Sequence, residues 1–382
     1  MDHLPPVESL TLHEAIGQLI CPTLFGGDRQ GIPYDAAAIG LDLARYGWGG
    51  YILFHGTRDE VASRLSALRA IARIPLLVAA DLEHGAGQQV SGLHVFPTAM
   101  AFGAASEPEH AYELGAWTAR EAQSVGINWV LAPVADVTNN PLNPIINIRS
   151  FGGDPLRVAA MVEAFVLGCQ SQGALACAKH FPGHGDTETD SHSRLGQIRA
   201  DRNRLEAVEW PPFQAAIAAG AASLMTAHLA VPALEAPDRP ATLSRRIMTG
   251  VLRAEMGFDG LIVTDALVMG GITRTVDPAE AAIQAIAAGC DMLLMPPNPV
   301  VTFEALYDAA QSGRLSKERV FEAAGRVLAA KAKVHPPGTE PLGLDPETLA
   351  RHVAARAITL AKGDPAWRLP EGAIGVAVDD GV

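Results

Sequence analysis

Short apolar runs alternate with amphipathic stretches along most of this chain, and this alternation strongly limits how it can fold. The eight apolar runs are residues 17–24, 50–54, 74–80, 127–134, 174–178, 222–227, 261–264 and 291–295. Each run is continuously apolar instead of alternating between apolar and polar residues, which is typical of parallel strands covered on both faces. The runs therefore predict a buried parallel sheet.

The stretches between these runs have the periodicity of surface helices. The predicted helices are residues 58–73, 109–125, 155–172, 204–219, 245–256 and 278–288. Eight strand–helix repeats ending near residue 335 predict an α/β fold of the (β/α)8 barrel type. An open, doubly wound sheet is the alternative, although no GxGxxG motif follows the first strand to support a dinucleotide site.

Composition excludes several classes of protein. Of the 382 residues, 48% are hydrophobic and 19% are charged, which is enough apolar material for a large core and argues against disorder. The net charge of −13 would repel phosphate groups, so we expect no nucleic-acid partner. Charged residues, proline or glycine interrupt every long apolar stretch, so we expect no membrane span.

The cysteines and the N-terminal residues indicate the cellular compartment of the protein. The start, MDHLPP, lacks the basic and apolar segments of a secretory signal. The cysteines show no CxxC spacing and mostly lie in apolar stretches; they are Cys21, Cys169, Cys177 and Cys290. We therefore predict free, buried thiols and a cytoplasmic protein.

Ionisable residues follow the ends of five predicted strands. They are Asp81 after LLVAA, Asp136 after LAPVA, Lys179 and His180 after ALACA, His228 after LMTA and Asp265 after LIVT. A charge can simply mark where a core meets water. Because strand carboxyl ends meet at one mouth of a barrel, five such ends favour one shared functional site.

The segment KHFPGHGDTETDSH, residues 179–192, is the richest in chemistry. Pro182 and Gly183 exclude a helix and permit a folded-over, mobile loop that could cover a ligand. Asp190 lies two residues before His192, close enough to orient an imidazole that exchanges protons near neutral pH. This spacing favours a general acid–base loop.

Two other interpretations of this loop stay open. A metal could be held by His180, His184, Asp186 or His192, although the absence of a helix removes the usual His-x-x-x-His geometry. The segment could also be a solvated polar loop with no chemical role.

Three further positions are candidates for a binding or catalytic role. Asp265, between a strand and a glycine-containing turn, could be a nucleophile or a helix N-cap. The loop that begins with Asp81 combines two acids and a histidine. Arg149, in NIRSFGGDP, is a candidate substrate-binding cation, with a structural salt bridge as its alternative.

Linked motifs along residues 10–335 resemble glycoside hydrolase family 3, in particular its β-N-acetylglucosaminidase (β-N-acetylhexosaminidase) branch. The motifs, in order, are AADLEHG, FPTAMAFGA, GINWVLAPVADV, IRSFGGDP, AKHFPGHGDTETDSH, SLMTAHL, PATLSRRIMTGVLRAEMGFDGLIVTDAL and AIAAGCDMLLMP. The resemblance implies a catalytic barrel over residues 1–335 that needs no cofactor and no metal.

The resemblance also implies roles for individual residues. Asp265 corresponds to the aspartate nucleophile that attacks the anomeric carbon, His192 to the histidine acid–base and Asp190 to its carboxylate partner. The remaining positions correspond to residues of the sugar pocket, and they are Asp81, Arg149, Lys179 and His180.

The implied reaction is retaining, exo-acting hydrolysis of terminal β-linked N-acetylglucosamine, with a muropeptide or chitooligosaccharide as substrate and a role in peptidoglycan recycling. A neutral histidine base repels phosphate less than a carboxylate does, so an N-acetylglucosaminide phosphorylase is an alternative. A broad β-glucosidase, a metal-dependent barrel hydrolase and a sugar-binding protein without turnover are the others.

The chain departs from the family pattern in two places. Arginines expected in the loop after Asp81 are replaced by Ala86 and Gln89, and His84 or Gln89 could take their place as hydroxyl partners. Residues 336–382 contain a predicted helix at 352–360 and a predicted strand at 372–378. This C-terminal segment resembles the beginning of the second, α/β sandwich domain of many members.

Overall fold

The computed structural model describes residues 4–26, 35–189, 191 and 194–358. The strands of this part are β1 (Ile20–Cys21), β2 (Thr23–Phe25), β3 (Gly50–Phe54), β4 (Leu77–Ala80), β5 (Trp129–Val130), β6 (Leu175–Phe181), β7 (Gly196–Gln197), β8 (Ser223–Thr226), β9 (Leu229–Ala230), β10 (Leu261–Val263) and β11 (Leu293–Leu294). Each of the eight predicted runs overlaps one of these strands, or two in the case of the first run, and β2 and β6 extend beyond the predicted ends. The strand positions predicted from the sequence are thus confirmed.

Helices connect the strands on the outside. The α-helices are α1 (Leu12–Gln18), α2 (Ala36–Tyr46), α3 (Arg58–Ile71), α4 (Ala99–Ala105), α5 (Pro108–Ser124), α6 (Pro155–Ser171), α7 (Arg202–Arg204), α8 (Pro211–Ala218), α9 (Gly270–Thr273), α10 (Pro278–Ala288), α11 (Pro299–Gln311), α12 (Lys317–Ala332) and α13 (Pro346–Ala357). Two π-helical segments, Leu205–Glu209 and Arg246–Glu255, occupy the predicted helices at 204–219 and 245–256. None of the described helices is both long and apolar enough to cross a membrane.

The parallel strands close into a ring. Seven strands pair in the order β10-β8-β6-β5-β4-β3-β2. The ring closes because β1, separated from β2 only by Pro22, pairs with β11, and Met292 beside β11 bridges to Val263 of β10. The (β/α)8 prediction is confirmed, and the open doubly wound sheet is excluded because an open sheet would leave two unpaired edges.

Two apolar layers explain why the strands are continuously apolar. Inside the ring, side chains such as Ile52, Trp129 and Met225 form one buried cluster. A larger cluster fills the space between the strands and the surrounding helices. The one polar atom of Trp129 is satisfied, because its indole N–H donates to Ser223 Oγ at 2.8 Å.

The first predicted run begins too early. Gly17 belongs to α1, which starts with a capping box in which Thr11 and Glu14 bond each other's backbone N–H groups. A Cβ at Gly17 would lie 2.0 Å from the carbonyl oxygen of Tyr46, so glycine allows α1 to approach the end of α2. Residues 17–19 therefore end a helix before the strand begins.

The C-terminal segment packs on the barrel as far as it is described. Asp345 caps α13, which begins at Pro346, six residues before the predicted start at residue 352. Leu349 and Val353 are fully buried. The indole N–H of Trp117 in α5 donates to the carbonyl oxygen of Leu344 at 2.8 Å. The predicted strand at 372–378 lies outside the described residues.

Candidate active site

A cavity of about 790 Å³ opens at the carboxyl ends of the barrel strands. Five of the predicted site residues line it, namely Asp81, Arg149, Lys179, His180 and Asp265. The other two, Asp190 and His192, lie outside the described residues. Ser191, the residue between them, also lines the cavity. The closed ring thus brings together residues that are far apart in the sequence.

A bulge in β6 places two consecutive side chains on the cavity wall. Ala178 pairs with Leu224 of β8 and Phe181 pairs with Thr226, so Lys179 and His180 together face a single residue of β8. In a regular strand, consecutive side chains point to opposite faces. Because the bulge breaks this alternation, both Lys179 and His180 reach the cavity.

Four charged side chains form a partly buried ionic cluster in the cavity wall. Lys179 Nζ lies 2.7 Å from both Asp81 Oδ1 and Glu83 Oε1. Arg149 donates through Nε and Nη2 to the two oxygens of Glu83, at 2.8 and 2.7 Å. Each buried charge has an opposite charge in contact, which such groups need to remain ionised away from water.

The same contacts shift the pKa values of the cluster. Burial alone would raise the pKa of Glu83, but Lys179 and Arg149 hold it well below its usual range. Burial would lower the pKa of Lys179 and of Arg149, but the neighbouring carboxylates raise both. Glu83, Lys179 and Arg149 are therefore ionised at neutral pH and present fixed charges to the cavity.

Arg149 lies in the cavity wall and also forms a salt bridge. It lines the cavity as the binding hypothesis requires, and it forms the salt bridge that was the alternative. Its Nη1 also donates to the carbonyl oxygen of Ile145 at 3.2 Å. These bonds fix the plane of the guanidinium group and make it a rigid part of the wall.

Asp136 is a fully buried carboxylate that holds two histidines of the cavity wall. Its Oδ2 lies 2.8 Å from His180 Nδ1, and its Oδ1 accepts from the backbone N–H of His184 at 2.6 Å. The two ring nitrogens of His184 contact the hydroxyls of Thr187 and Ser191, at 2.8 and 2.9 Å. Both nitrogens are thus engaged, which argues against a metal-ligand role for His184.

Asp265 lies two residues beyond β10 and is partly exposed in the cavity. Its Oδ1 accepts from the backbone N–H of Ala266 at 2.7 Å. The helix that follows, α9, begins after Met269, so the N-cap alternative for Asp265 is wrong. Burial would raise its pKa, but His180 and His228 and the bond from Ala266 lower it below its ordinary value. Asp265 is an ionised, accessible carboxylate at neutral pH.

The first part of the predicted loop is packed against the barrel. Residues 181–185 are buried, and Asn143 Nδ2 donates to the carbonyl oxygens of His184 and Gly185 at 2.8 and 3.0 Å. A Cβ at Gly185 would lie 1.8 Å from the carbonyl oxygen of Val137. Glycine here serves close packing, and the prediction of a loop folded over the cavity does not hold for residues 181–185.

Two glutamine side chains hold the loop after Asp81, and one of them, Gln89, stands at a position where the family pattern has an arginine. Gln88 Oε1 accepts from the backbone N–H of Glu83 at 2.7 Å, and Gln89 Oε1 accepts from that of His55 at 3.2 Å. Both glutamines and His84 line the cavity. Ala86 is fully buried and does not contribute a polar group.

Sequence reasoning did not assign a role to Glu83 or Asp136, although both organise the site. Glu83 lies two residues after Asp81, and this spacing is the only signal in the sequence for a shared partner. Asp136 follows a strand, but its hydrogen bonds to His180 and His184 depend on the contact between adjacent strands.

Comparisons with known proteins agree with this arrangement. The family model for the glycosyl hydrolase family 3 N terminal domain matches residues 11–330. A β-N-acetylglucosaminidase/β-glucosidase of Cellulomonas fimi is 35% identical over 376 residues, which cover 92% of this chain and 64% of that protein. This chain therefore spans less than two thirds of the length of that relative.

Solved structures are similar over nearly the whole chain. A family 3 β-N-acetylglucosaminidase from Paenibacillus sp. str. FPU-7 has a TM-score of 0.87 and 36% identity, covering 95% of this chain and 72% of that one. The β-glucoside phosphorylase BglX bound to 2FGlc has a TM-score of 0.80 and 31% identity, covering 92% of this chain and 63% of that one. With the family model matching 320 consecutive residues, from 11 to 330, the chain belongs to glycosyl hydrolase family 3.

Proposed function

We propose that this protein is a retaining, exo-acting β-N-acetylglucosaminidase that hydrolyses terminal β-linked N-acetylglucosamine. The observation that carries the proposal is Asp265, an ionised carboxylate in the wall of a cavity that is also lined by fixed charges. The names of the Cellulomonas and Paenibacillus relatives support the choice of sugar. The catalytic unit of this proposal is residues 1–335.

In this proposal, the ionic cluster binds the sugar. Hydroxyl groups donate and accept hydrogen bonds, so they can bond to the carboxylate of Asp81 and to the cations of Lys179 and Arg149. Because the cluster is held by its own salt bridges, it needs little reorganisation on binding. His180, fixed by Asp136, is the fourth polar group proposed to contact the sugar.

The proposed chemistry is a double displacement. The Asp265 carboxylate attacks the anomeric carbon and forms a glycosyl-enzyme, while the leaving oxygen takes a proton from His192. His192, then neutral, removes a proton from the incoming water, whose oxygen displaces Asp265 from the sugar. Asp190 is proposed to orient the imidazole and raise its basicity.

Replacement of Asp265 tests the nucleophile. Asp265→Ala is expected to lower kcat on an aryl β-N-acetylglucosaminide by about 10³-fold or more, while the sugar still raises the melting temperature. Asp259→Ala, at an exposed aspartate six residues earlier, is the matched control. Unchanged turnover in Asp265→Ala would remove this residue as nucleophile. Sugar binding by the parent without any turnover would favour a binding protein.

A series of leaving groups tests His192. His192→Ala is expected to slow substrates with poor leaving groups far more than activated aryl glycosides, because activated groups leave without protonation. Asp190→Ala is expected to shift the pH profile of the same step. Equal losses on all leaving groups would contradict the acid role, and His94→Ala, at an exposed histidine, serves as the control.

Phosphorolysis is the second candidate function. The similarity to a β-glucoside phosphorylase favours it, and a neutral histidine base would admit a phosphate anion next to the anomeric carbon. Turnover measured with and without phosphate, on glucosides and N-acetylglucosaminides, distinguishes the candidates. A sugar 1-phosphate product would assign a phosphorylase, whereas free sugar in both conditions supports hydrolysis. Preference for the glucoside would favour a β-glucosidase.

We further propose a cytoplasmic role in peptidoglycan recycling. All four cysteines are free and buried, which fits a reducing compartment. The direct test compares muropeptides with chitooligosaccharides as substrates. Faster turnover of chitooligosaccharides would reject the recycling role while leaving the proposed reaction intact.

A further inference from the structure

Two histidines and a glutamate meet on the outer helices of the barrel, and none of the three lines the cavity at the strand ends. Glu107 is the N-cap residue of α5 and His110 lies in the first turn of the same helix. His352 lies on α13, in the C-terminal segment. Packing of α13 on the barrel therefore brings together Glu107, His110 and His352, the α5–α13 cluster.

The potential ligand atoms of the α5–α13 cluster converge. Glu107 Oε2 lies 2.9 Å from His110 Nδ1 and 3.8 Å from His352 Nε2. All three ligand atoms lie within 4.8 Å of one another, and the ring centroids of the two histidines are 4.8 Å apart. Ligands of a tetrahedral zinc ion lie about 3.4 Å apart for metal–ligand distances of about 2.1 Å. Small side-chain rotations would reach that spacing.

His110 supplies an independent indication of a ligand. Its side chain is 10% exposed, and among the described residues its buried Nδ1 has no partner in hydrogen-bond geometry, although Glu107 is near. A buried polar nitrogen without a hydrogen bond is costly, and such nitrogens in proteins commonly face an ion or a water molecule. Here the nitrogen points to the space shared with Glu107 and His352.

We propose that the α5–α13 cluster is a binding site for a divalent transition-metal ion of the zinc class. Two imidazole nitrogens and one carboxylate oxygen form a ligand set that zinc accepts. The His352 side chain is 42% exposed, so the fourth coordination position faces solvent and takes a water molecule. The site is thus a three-ligand site open to exchange.

Arg356 pairs with Glu107 without occupying the oxygen that faces the histidines. Its guanidinium group pairs with Oε1 of Glu107, the oxygen that does not face the histidines. Ligating carboxylates commonly have such a hydrogen-bond partner on their other oxygen, which fixes their orientation. In this proposal, Oε2 of Glu107 binds the metal ion and Oε1 pairs with Arg356.

A bound ion would fasten α13 to the barrel. The ligands come from both α5 and α13, so the site exists only while α13 is docked. An ion that binds only the docked form stabilises it in proportion to its concentration and affinity. The inference is independent of the proposed glycosidase, since none of these residues lines the active-site cavity.

Calorimetric titration of the chelator-treated, full-length chain with ZnCl₂ tests the site. We expect one ion per chain, a higher melting temperature and slower proteolysis between α12 and α13. His352→Gln, at a largely exposed position, should fold normally and bind at least about tenfold more weakly. Glu107→Gln is the second variant, with the same expectation.

A matched control separates this site from other histidines. His94 lies 2.5 Å from Glu121 on the surface, and the described residues place no third ligand beside this pair, so His94→Gln should bind zinc like the parent. Equal zinc affinity in the parent, His352→Gln and Glu107→Gln would overturn the proposal. Displacement of the ion by N-acetylglucosamine would place it in the active-site cavity and would overturn it as well.

Discussion

Glu209 is a buried carboxyl group beneath the loop that follows β6. It is fully buried, and of its two oxygens only Oε1 has a hydrogen bond, from Asn139 Nδ2 at 2.9 Å, among the described residues. A Cβ at Gly183 would lie 2.8 Å from Glu209 Cβ, so the loop packs directly on this side chain. Burial, assisted by Asp136, raises the pKa of Glu209 to about 7.

This shift predicts how stability depends on pH. A pKa raised from 4.5 to about 7 in the folded state corresponds to about 3 kcal/mol of folding free energy. Because the folded chain holds the proton more tightly than the unfolded chain, this stability is fully present below pH 4.5. It is lost as the pH rises through about 7, where the buried carboxylate ionises.

Glu209→Gln keeps the size of the side chain and removes the charge. At pH 5 the variant and the parent should have similar stability, since Glu209 is then mostly neutral. At pH 8.5 the variant should be more stable by up to about 3 kcal/mol. For 382 residues with an unfolding entropy of about 2.1 cal/mol/K each, this corresponds to a melting temperature about 3–4 °C higher.

Thermal unfolding of both proteins between pH 5 and pH 8.5 measures this difference. Glu206→Gln is the matched control, because Glu206 lies one turn earlier, is half exposed and pairs with Arg202 at the surface. The control should not raise the melting temperature at pH 8.5. A difference between Glu209→Gln and the parent that is the same at pH 5 and pH 8.5 would refute the reasoning.

Other contacts give further expectations. Lys179→Met should lower the free energy of unfolding by about 3–5 kcal/mol and raise KM, because it leaves the carboxylates of Glu83 and Asp81 with one cation fewer. Unfolding and initial-rate measurements check this, and an unchanged melting temperature would contradict it. Asp291→Ala should lower the free energy of unfolding, measured with urea, by a similar amount, since this fully buried carboxylate pairs with Arg253 and Arg319. Val353→Asp should undock α13 by placing a charge in an apolar contact, so limited proteolysis should cut before α13 while the barrel resists; cleavage at the parent's rate would argue against this docking.

Continuous apolar runs were a reliable guide to the barrel because parallel strands covered on both faces have no exposed face to reveal by alternation. Their boundaries were less reliable. Residues 17–19 look like the start of a strand, yet Gly17 and Gln18 end α1, because the capping box at Thr11 starts a helix there. The C-terminal helix begins earlier than its apolar pattern indicates, since Asp345 and Pro346 provide a start signal.

The candidate site was likewise predictable in part from the sequence. Asp81, Lys179, His180 and Asp265 could be chosen from the sequence because each follows or ends a predicted strand, and parallel strands in a barrel end at one mouth. That both Lys179 and His180 face the cavity could not be predicted, because a regular strand would separate them.

By itself, the amino-acid sequence determined the repeated strand–helix order, the mouth at which the ionisable residues gather and the motifs that resemble glycoside hydrolase family 3. These are local properties, set by side-chain types and by short spacings along the chain. Only the tertiary structure decided that Glu83 joins Lys179 to Arg149, that Asp136 supports His180, and that α13 approaches His110. Such pairings depend on strand register and helix packing, which the buried core as a whole establishes and which no short segment of sequence encodes.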